Sequence, residues 1–158
     1  MIEVEIEADD WTEALPDAEA VVERAASAAL GEVAGDLVVL LTDDAAVRVL
    51  NLQFRAKDKP TNVLSFPGGD MPPLPDGGPE QARHLGDVVL AFGVCRDEAE
   101  AQGKSLANHL THLVIHGVLH VLGRDHEDDA EAEAMEAEER SLLASLGVAD
   151  PYFLPDDH

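Results

Sequence analysis

The stretch His116-Gly117-Val118-Leu119-His120-Val121-Leu122-Gly123-Arg124-Asp125-His126 decides how this chain is read. Histidines four apart on a helix project from one face, about 6 Å apart along its axis. Gly123 can end that helix, because glycine takes up the left-handed backbone that turns a chain back on itself. The reversal lets His126 approach His116 and His120 from the side. Three neutral imidazoles with a fourth position open are the ligand set of a catalytic zinc rather than a structural one. The motif therefore predicts a metal-dependent hydrolase in which His116, His120 and His126 hold one Zn2+ per chain.

Immediately upstream, Ser105 can cap a helix from about Leu106 to Leu122 that is apolar nearly all round, a pattern that places it in the centre of a domain. His109, His112, His116 and His120 fall within roughly an 80° sector of it. Imidazoles on a buried face need partners, since unsatisfied ones cost free energy. A lone histidine there reads as a core residue bonded to a backbone carbonyl. Two at i and i+4, then glycine at i+7 and histidine at i+10, favour a metal. His109 lies roughly 10 Å from His116, too far to share its ion. His112, one turn away, could orient His116 or meet substrate, and for it and His109 a structural role is weighed equally. Metallopeptidases with this spacing carry Glu after the first histidine as general base; here Gly117 stands there and can neither take a proton nor orient a water. Ordinary peptide hydrolysis is disfavoured. Asp125 could replace that base, but a bracing role in the turn is preferred. The working parts are then a metal-lowered water pKa and a cation that stabilises developing charge.

The rest of the chain supplies the frame. Ile2, Val4 and Ile6 alternate with glutamates, the period of a half-buried strand. A helix is expected from Asp17 to Leu30, closed by Gly31, then a buried strand over Leu37–Leu41. Asp43 or Thr42 can cap a helix from about Asp44 to Phe54 with Ala46, Val47, Leu50 and Phe54 as its apolar side. Val63–Phe66 and Leu85–Phe92 read as strands, flanking a Gly/Pro-dense loop over residues 68–82 that should lie over or beside the site. A short helix around Val94–Gln102, the histidine helix and an acidic helix from Asp128 to Leu146 complete the order βαβα(ββ)ααα. The expectation is one α+β (mixed α/β) domain over residues 1–158, with a small mixed sheet of about four strands packed with helices and the histidine-bearing helix central.

Composition sets outer limits. No apolar run approaches the roughly 18–20 residues that a membrane span needs, and the acidic, alternating N-terminus is unlike a signal peptide. Cys95 is the only cysteine, which excludes an intrachain disulfide and cysteine-rich zinc sites. A cytoplasmic setting with no membrane partner is the default. The net charge of -23 argues against a polyanionic partner, but its distribution is uneven. Residues 1–47 carry thirteen acids against Arg24 alone, and residues 125–158 twelve against Arg140 alone. Arg48, Arg55, Lys57, Lys59, Arg83, Arg96, Lys104 and Arg124 all lie between. The acidic ends are solvated faces, and the charge leaves the partner open.

The run Phe54-Arg55-Ala56-Lys57-Asp58-Lys59-Pro60-Thr61-Asn62-Val63-Leu64-Ser65-Phe66-Pro67, with Leu85-Gly86-Asp87 and the histidine motif, closely resembles the bacterial rRNA maturation factor family, the YbeY-type endoribonucleases. The resemblance runs from about Asn51 to His126, with weaker echoes in the acidic helix and at Pro151-Tyr152. It implies a compact zincin-like fold and zinc on His116, His120 and His126. It also implies metal-dependent cleavage of single-stranded RNA, in maturation of the small-subunit rRNA 3′ end and in ribosome quality control. Partners would be rRNA and ribosomal or ribosome-assembly proteins. Arg55 matches the family's functional arginine near the metal cleft, so Arg55 and His116 become the catalytic candidates, with Lys57 and Lys59 as possible substrate contacts. Asn62 stands where the family often has Asp, and Arg124 where Tyr is commonest. The alternatives are a non-catalytic ribosome-assembly factor with a structural metal and a metal-dependent hydrolase of another substrate.

Overall fold

A computed structural model describes residues 2–31, 33, 35–67, 84–122 and 129–147. Its elements in chain order are β1 (Ile2–Ile6), α1 (Asp10–Ala14), α2 (Ala18–Leu30), β2 (Asp36–Thr42), α3 (Asp44–Arg55), β3 (Val63–Pro67), β4 (His84–Ala91), α4 (Phe92–Gln102), α5 (Leu106–Val121) and α6 (Asp129–Ser145). The fold is mixed α/β. Four strands form one sheet in the order β1-β2-β4-β3. β1 and β4 run parallel to β2, with Val4 opposite Val39 and Val39 opposite Val88. β3 returns antiparallel at the edge, with Ser65 opposite Val88.

Strand alternation divides the core between two sheet faces. Val88 and Leu90 of β4 join Leu37, Val39 and Leu41 of β2 against the apolar sides of α2 and α5. Val89 and Ala91 turn the other way, toward Leu64, Phe66 and Val47 of α3. α5 is thus covered by the sheet on one side and by α2 and α6 on others, through buried Leu110, Leu113, Val114, Ile115, Val118 and Leu119. Ser105 caps it by accepting the Asn108 N–H at 3.1 Å.

Three expectations need correction. α1, a single turn, was not foreseen; it is pinned by Trp11, which is fully buried, donates to Thr42 O at 2.9 Å and meets Phe92 edge-on. The strand expected to reach Phe92 stops at Ala91, and Phe92 opens α4. On α3, Phe54 does not join the apolar side but is 59% exposed, whereas Asn51 is buried. An amide is tolerated there because it has a partner, described below. The loop expected over residues 68–82 lies outside the described residues.

Candidate active site

Along α5 the histidines come progressively into the open. The side chains of His109, His112 and His116 are 4%, 15% and 27% exposed. His112, His116 and His120 line a cleft of about 610 Å³ whose opposite wall is Arg55, Lys57, Lys59 and Thr61, with Asn51 and β3 residues Val63, Leu64 and Ser65 between. Residues nearly sixty positions apart in sequence thus share one cavity, and its basic wall is set within a strongly acidic protein.

The histidine wall is oriented by a carboxylate buried beneath it. Glu139 of α6 is 1% exposed. Its Oε1 accepts from His112 Nε2 at 2.8 Å and its Oε2 from His116 Nδ1 at 3.1 Å. A carboxylate only accepts, so the proton of neutral His116 sits on Nδ1 and the lone pair on Nε2. That Nε2 faces His120 Nε2 at 3.1 Å. Two nitrogens bound tetrahedrally to one zinc at about 2.0–2.1 Å lie about 3.3 Å apart, so this pair fits a shared cation with little adjustment. A carboxylate on the far nitrogen is the usual partner of a metal-binding imidazole. Among the described residues no three His, Cys, Asp or Glu side chains converge on one point. The third expected ligand, His126, and its neighbours Asp125 and Arg124 lie outside those residues.

Gly117 is explained by packing. A β-carbon there would lie 2.7 Å from Val88 Cγ1 and 3.2 Å from Ser65 Oγ. Ser65 Oγ instead donates to Gly117 O at 3.2 Å, so the helix lies too close to β4 and β3 for the glutamate of a peptidase motif.

The basic wall is built from the end of α3. Asp43 caps the helix start by accepting the Ala46 N–H at 2.8 Å. Its last turn closes with Ala56 in the left-handed region at φ 58. Buried Asn51 donates Nδ2 to Lys59 O at 2.8 Å, while its own carbonyl accepts from Lys57 N at 3.2 Å. Arg48 pairs with Asp58 at 2.6 Å and holds that carboxyl below its usual range. Together these ties fold residues 56–59 back so that Lys57 and Lys59 face the cleft. Arg55 Nη2 donates to Ser65 O at 3.1 Å, which uses one of five guanidinium N–H groups.

A third cluster joins the walls. Glu98 of α4 accepts at Oε1 from Asn62 Nδ2 at 3.0 Å and from His109 Nε2 at 2.9 Å. Desolvation lowers the His109 pKa against the opposing pull of Glu98. The amide of Asn62 supplies the donor that this arrangement needs; a carboxylate there would face Glu98. Cys95 is buried beside it, with its Sγ 3.6 Å from Asn62 O and its thiol pKa raised by burial, so it offers no reactive thiolate.

Glu139 was missed because α6 is crowded with exposed acids. The signal was its place on the stripe Met135, Leu142, Leu143 and Leu146, which the core uses: a charge on an apolar stripe asks for a buried partner.

A helix presenting two paired imidazoles opposite three cations, on a four-stranded mixed sheet, defines a candidate hydrolase with a cleft for an anionic substrate. The chain belongs to the Endoribonuclease YbeY family, whose profile matches residues 3–147. The protein named Endoribonuclease YbeY in Paramagnetospirillum magneticum is 54% identical, over 96% of this chain and 94% of its own length. That of Azorhizobium caulinodans is 51% identical over 98% of this chain and 97% of its own. A Thermotoga maritima protein solved in solution shares the fold, with a TM-score of 0.53 at 21% identity, covering 98% of this chain and all of that one. Among the described residues no helix is long and apolar enough to cross a membrane.

Proposed function

We propose that this chain is a zinc-dependent endoribonuclease, one zincin-like domain over residues 1–158, that cleaves single-stranded RNA in the maturation of the small-subunit rRNA 3′ end and in ribosome quality control. Its partners are rRNA and ribosomal or ribosome-assembly proteins, in the cytoplasm. The observation that carries the reading is the cleft in which Arg55, Lys57 and Lys59 face His116 and His120, in a chain about half identical to relatives named endoribonucleases.

The roles follow from the chemistry of each side chain. His116, His120 and His126 hold the zinc, and Glu139 fixes the His116 proton on the nitrogen that faces away from it. When bound, zinc supplies Lewis-acid polarisation and charge stabilisation at the scissile phosphate. Arg55 binds the same phosphate with the planar fork that suits its oxygens, and stabilises the negative charge that builds on them during cleavage. Its bond to Ser65 O presets that position. Lys57 and Lys59 attract and position the flanking backbone. Gly117 leaves no room for a peptidase base.

The test is purified protein of defined metal content incubated with single-stranded and structured rRNA fragments, beside His116→Ala. Cleavage of single strands that disappears in the variant is expected. Cleavage that survives marks a contaminating nuclease, and specific binding without cleavage favours an assembly role.

A further inference from the structure

Phe54 is the one large aromatic side chain among the described residues that lies mostly in solvent, at 59% exposure, while Trp11 and Phe92 are buried. It sits on the last turn of α3, directly before Arg55 and three positions after Asn51, both of which line the cleft. Positions three and four apart share a helix face, so Phe54 and Arg55 both project toward β3. The contacts agree: Arg55 bonds the carbonyl of Ser65, and Phe54 meets the next residue, Phe66, edge-on with ring centroids 5.3 Å apart. Phe66 is anchored in the small core between α3 and the sheet. The Phe54 ring is therefore held from one side and open on the other, immediately beside a cleft wall made of cations.

A ring that touches one neighbour in a T-shaped pair and is 59% exposed keeps ring surface free for another π system. Open single strands are bound by this combination, with cations along the phosphates and an aromatic face under a base. Duplexed bases are already stacked and gain nothing from it.

We propose that Phe54, braced by Phe66, is a stacking platform for an unpaired base next to the phosphate held by Arg55, and that it makes the cleft selective for single strands. The proposal rests on the RNA reading above and adds to it a subsite for a base.

The test compares affinities for a fluorescein-labelled single-stranded RNA decamer, for its duplex, and for a series of decamers with one abasic position moved along the strand. Phe54→Ala should weaken single-strand binding about five- to hundredfold, and Phe54→Leu should resemble it, because bulk without a π face is not enough. Phe54→Trp should match or exceed the wild type. At one abasic position the wild type should fall to the affinity of Phe54→Ala, and the variant should lose nothing further there. Duplex affinity should be the same for all four proteins. Because Phe54 is exposed, the variants should retain their folds, which circular dichroism and zinc content check. Equal single-strand affinity for wild type and Phe54→Ala overturns the platform while RNA binding stands, and assigns the ring to a protein contact. A Phe54→Leu variant that binds like the wild type also overturns it. If the wild type binds no RNA, the underlying reading fails and the platform with it.

Discussion

On the α5 wall of the cleft, position is set from beneath. His112 and His116 hang on a carboxylate that is 1% exposed, on a helix whose remaining faces are packed. On the opposite wall, Arg55, Lys57 and Lys59 are exposed, and position is set by the backbone: a left-handed turn at Ala56, the Asn51 clamp and the Arg48–Asp58 pair. The first wall resembles an interior with a window; the second is a surface loop kept in shape by three ties. A metal ligand needs its lone pair aimed within a few tenths of an ångström, which only close packing supplies. Cations that attract a polyanion act over a longer range and need only to be on the correct side. The two walls are thus built to different tolerances, and substitutions should separate them.

The largest expected effect is on the α5 wall. His116→Ala should lose both zinc, read by elemental analysis, and RNA cleavage, which should drop to background. Arg55→Ala should leave zinc content and thermal stability near those of the wild type but slow cleavage about 10²- to 10³-fold, the usual range for removing one group that stabilises transition-state charge. Unchanged cleavage would remove Arg55 from the chemistry. A loss of zinc in Arg55→Ala would show that the walls are not independent.

Glu139→Gln tests the carboxylate directly. A glutamine has one accepting oxygen, so one of the two N–H groups now bonded to Glu139 would meet an NH2 donor instead. Zinc affinity, read by competition with a chelator, should fall about 10- to 100-fold. If affinity is unchanged and only the stability of the metal-free protein falls, Glu139 is a packing group and the aim of His116 is set elsewhere.

Much of this was open to reading from the sequence, for reasons that can be named. Strands and helices followed from period two in Ile2–Ile6 and from the long apolar run around Ile115, and Gly31 closed its helix where expected. His116 and His120 could be placed on one face because i,i+4 spacing fixes direction within a helix. What could not be read was anything that depends on two distant elements meeting. Glu139 is one acid among many until α6 is laid on α5. Asn51 resembles an error in an amphipathic pattern until residue 59 folds back to it. That Arg55 belongs with the histidines came only from resemblance, since neither charge nor period relates residue 55 to residue 116. Gly117 was legible as a missing base but not as a contact with Val88.

The smallest effect concerns His109, which lies on the histidine stripe yet belongs to the joint between the walls. Burial is the larger influence on it and lowers its pKa below the ordinary histidine value of about 6.5, although Glu98 pulls the other way. In this window the unfolded chain therefore binds the proton more readily than the folded one. The stability that neutral His109 contributes is fully present above pH 6.5 and is lost as pH falls through the lowered folded value. His109→Gln keeps a donor for Glu98 but has no such titration. Denaturant midpoints of the metal-free proteins at pH 7.5 and pH 5 should fall on acidification in both, because the carboxylates and other histidines are shared, and fall further in the wild type. An equal fall in the two proteins would mean that Glu98 just offsets burial, and a smaller fall in the wild type that Glu98 outweighs burial and His109 carries its proton without cost. The joint between the walls would then be an ion pair, and acid would not loosen it.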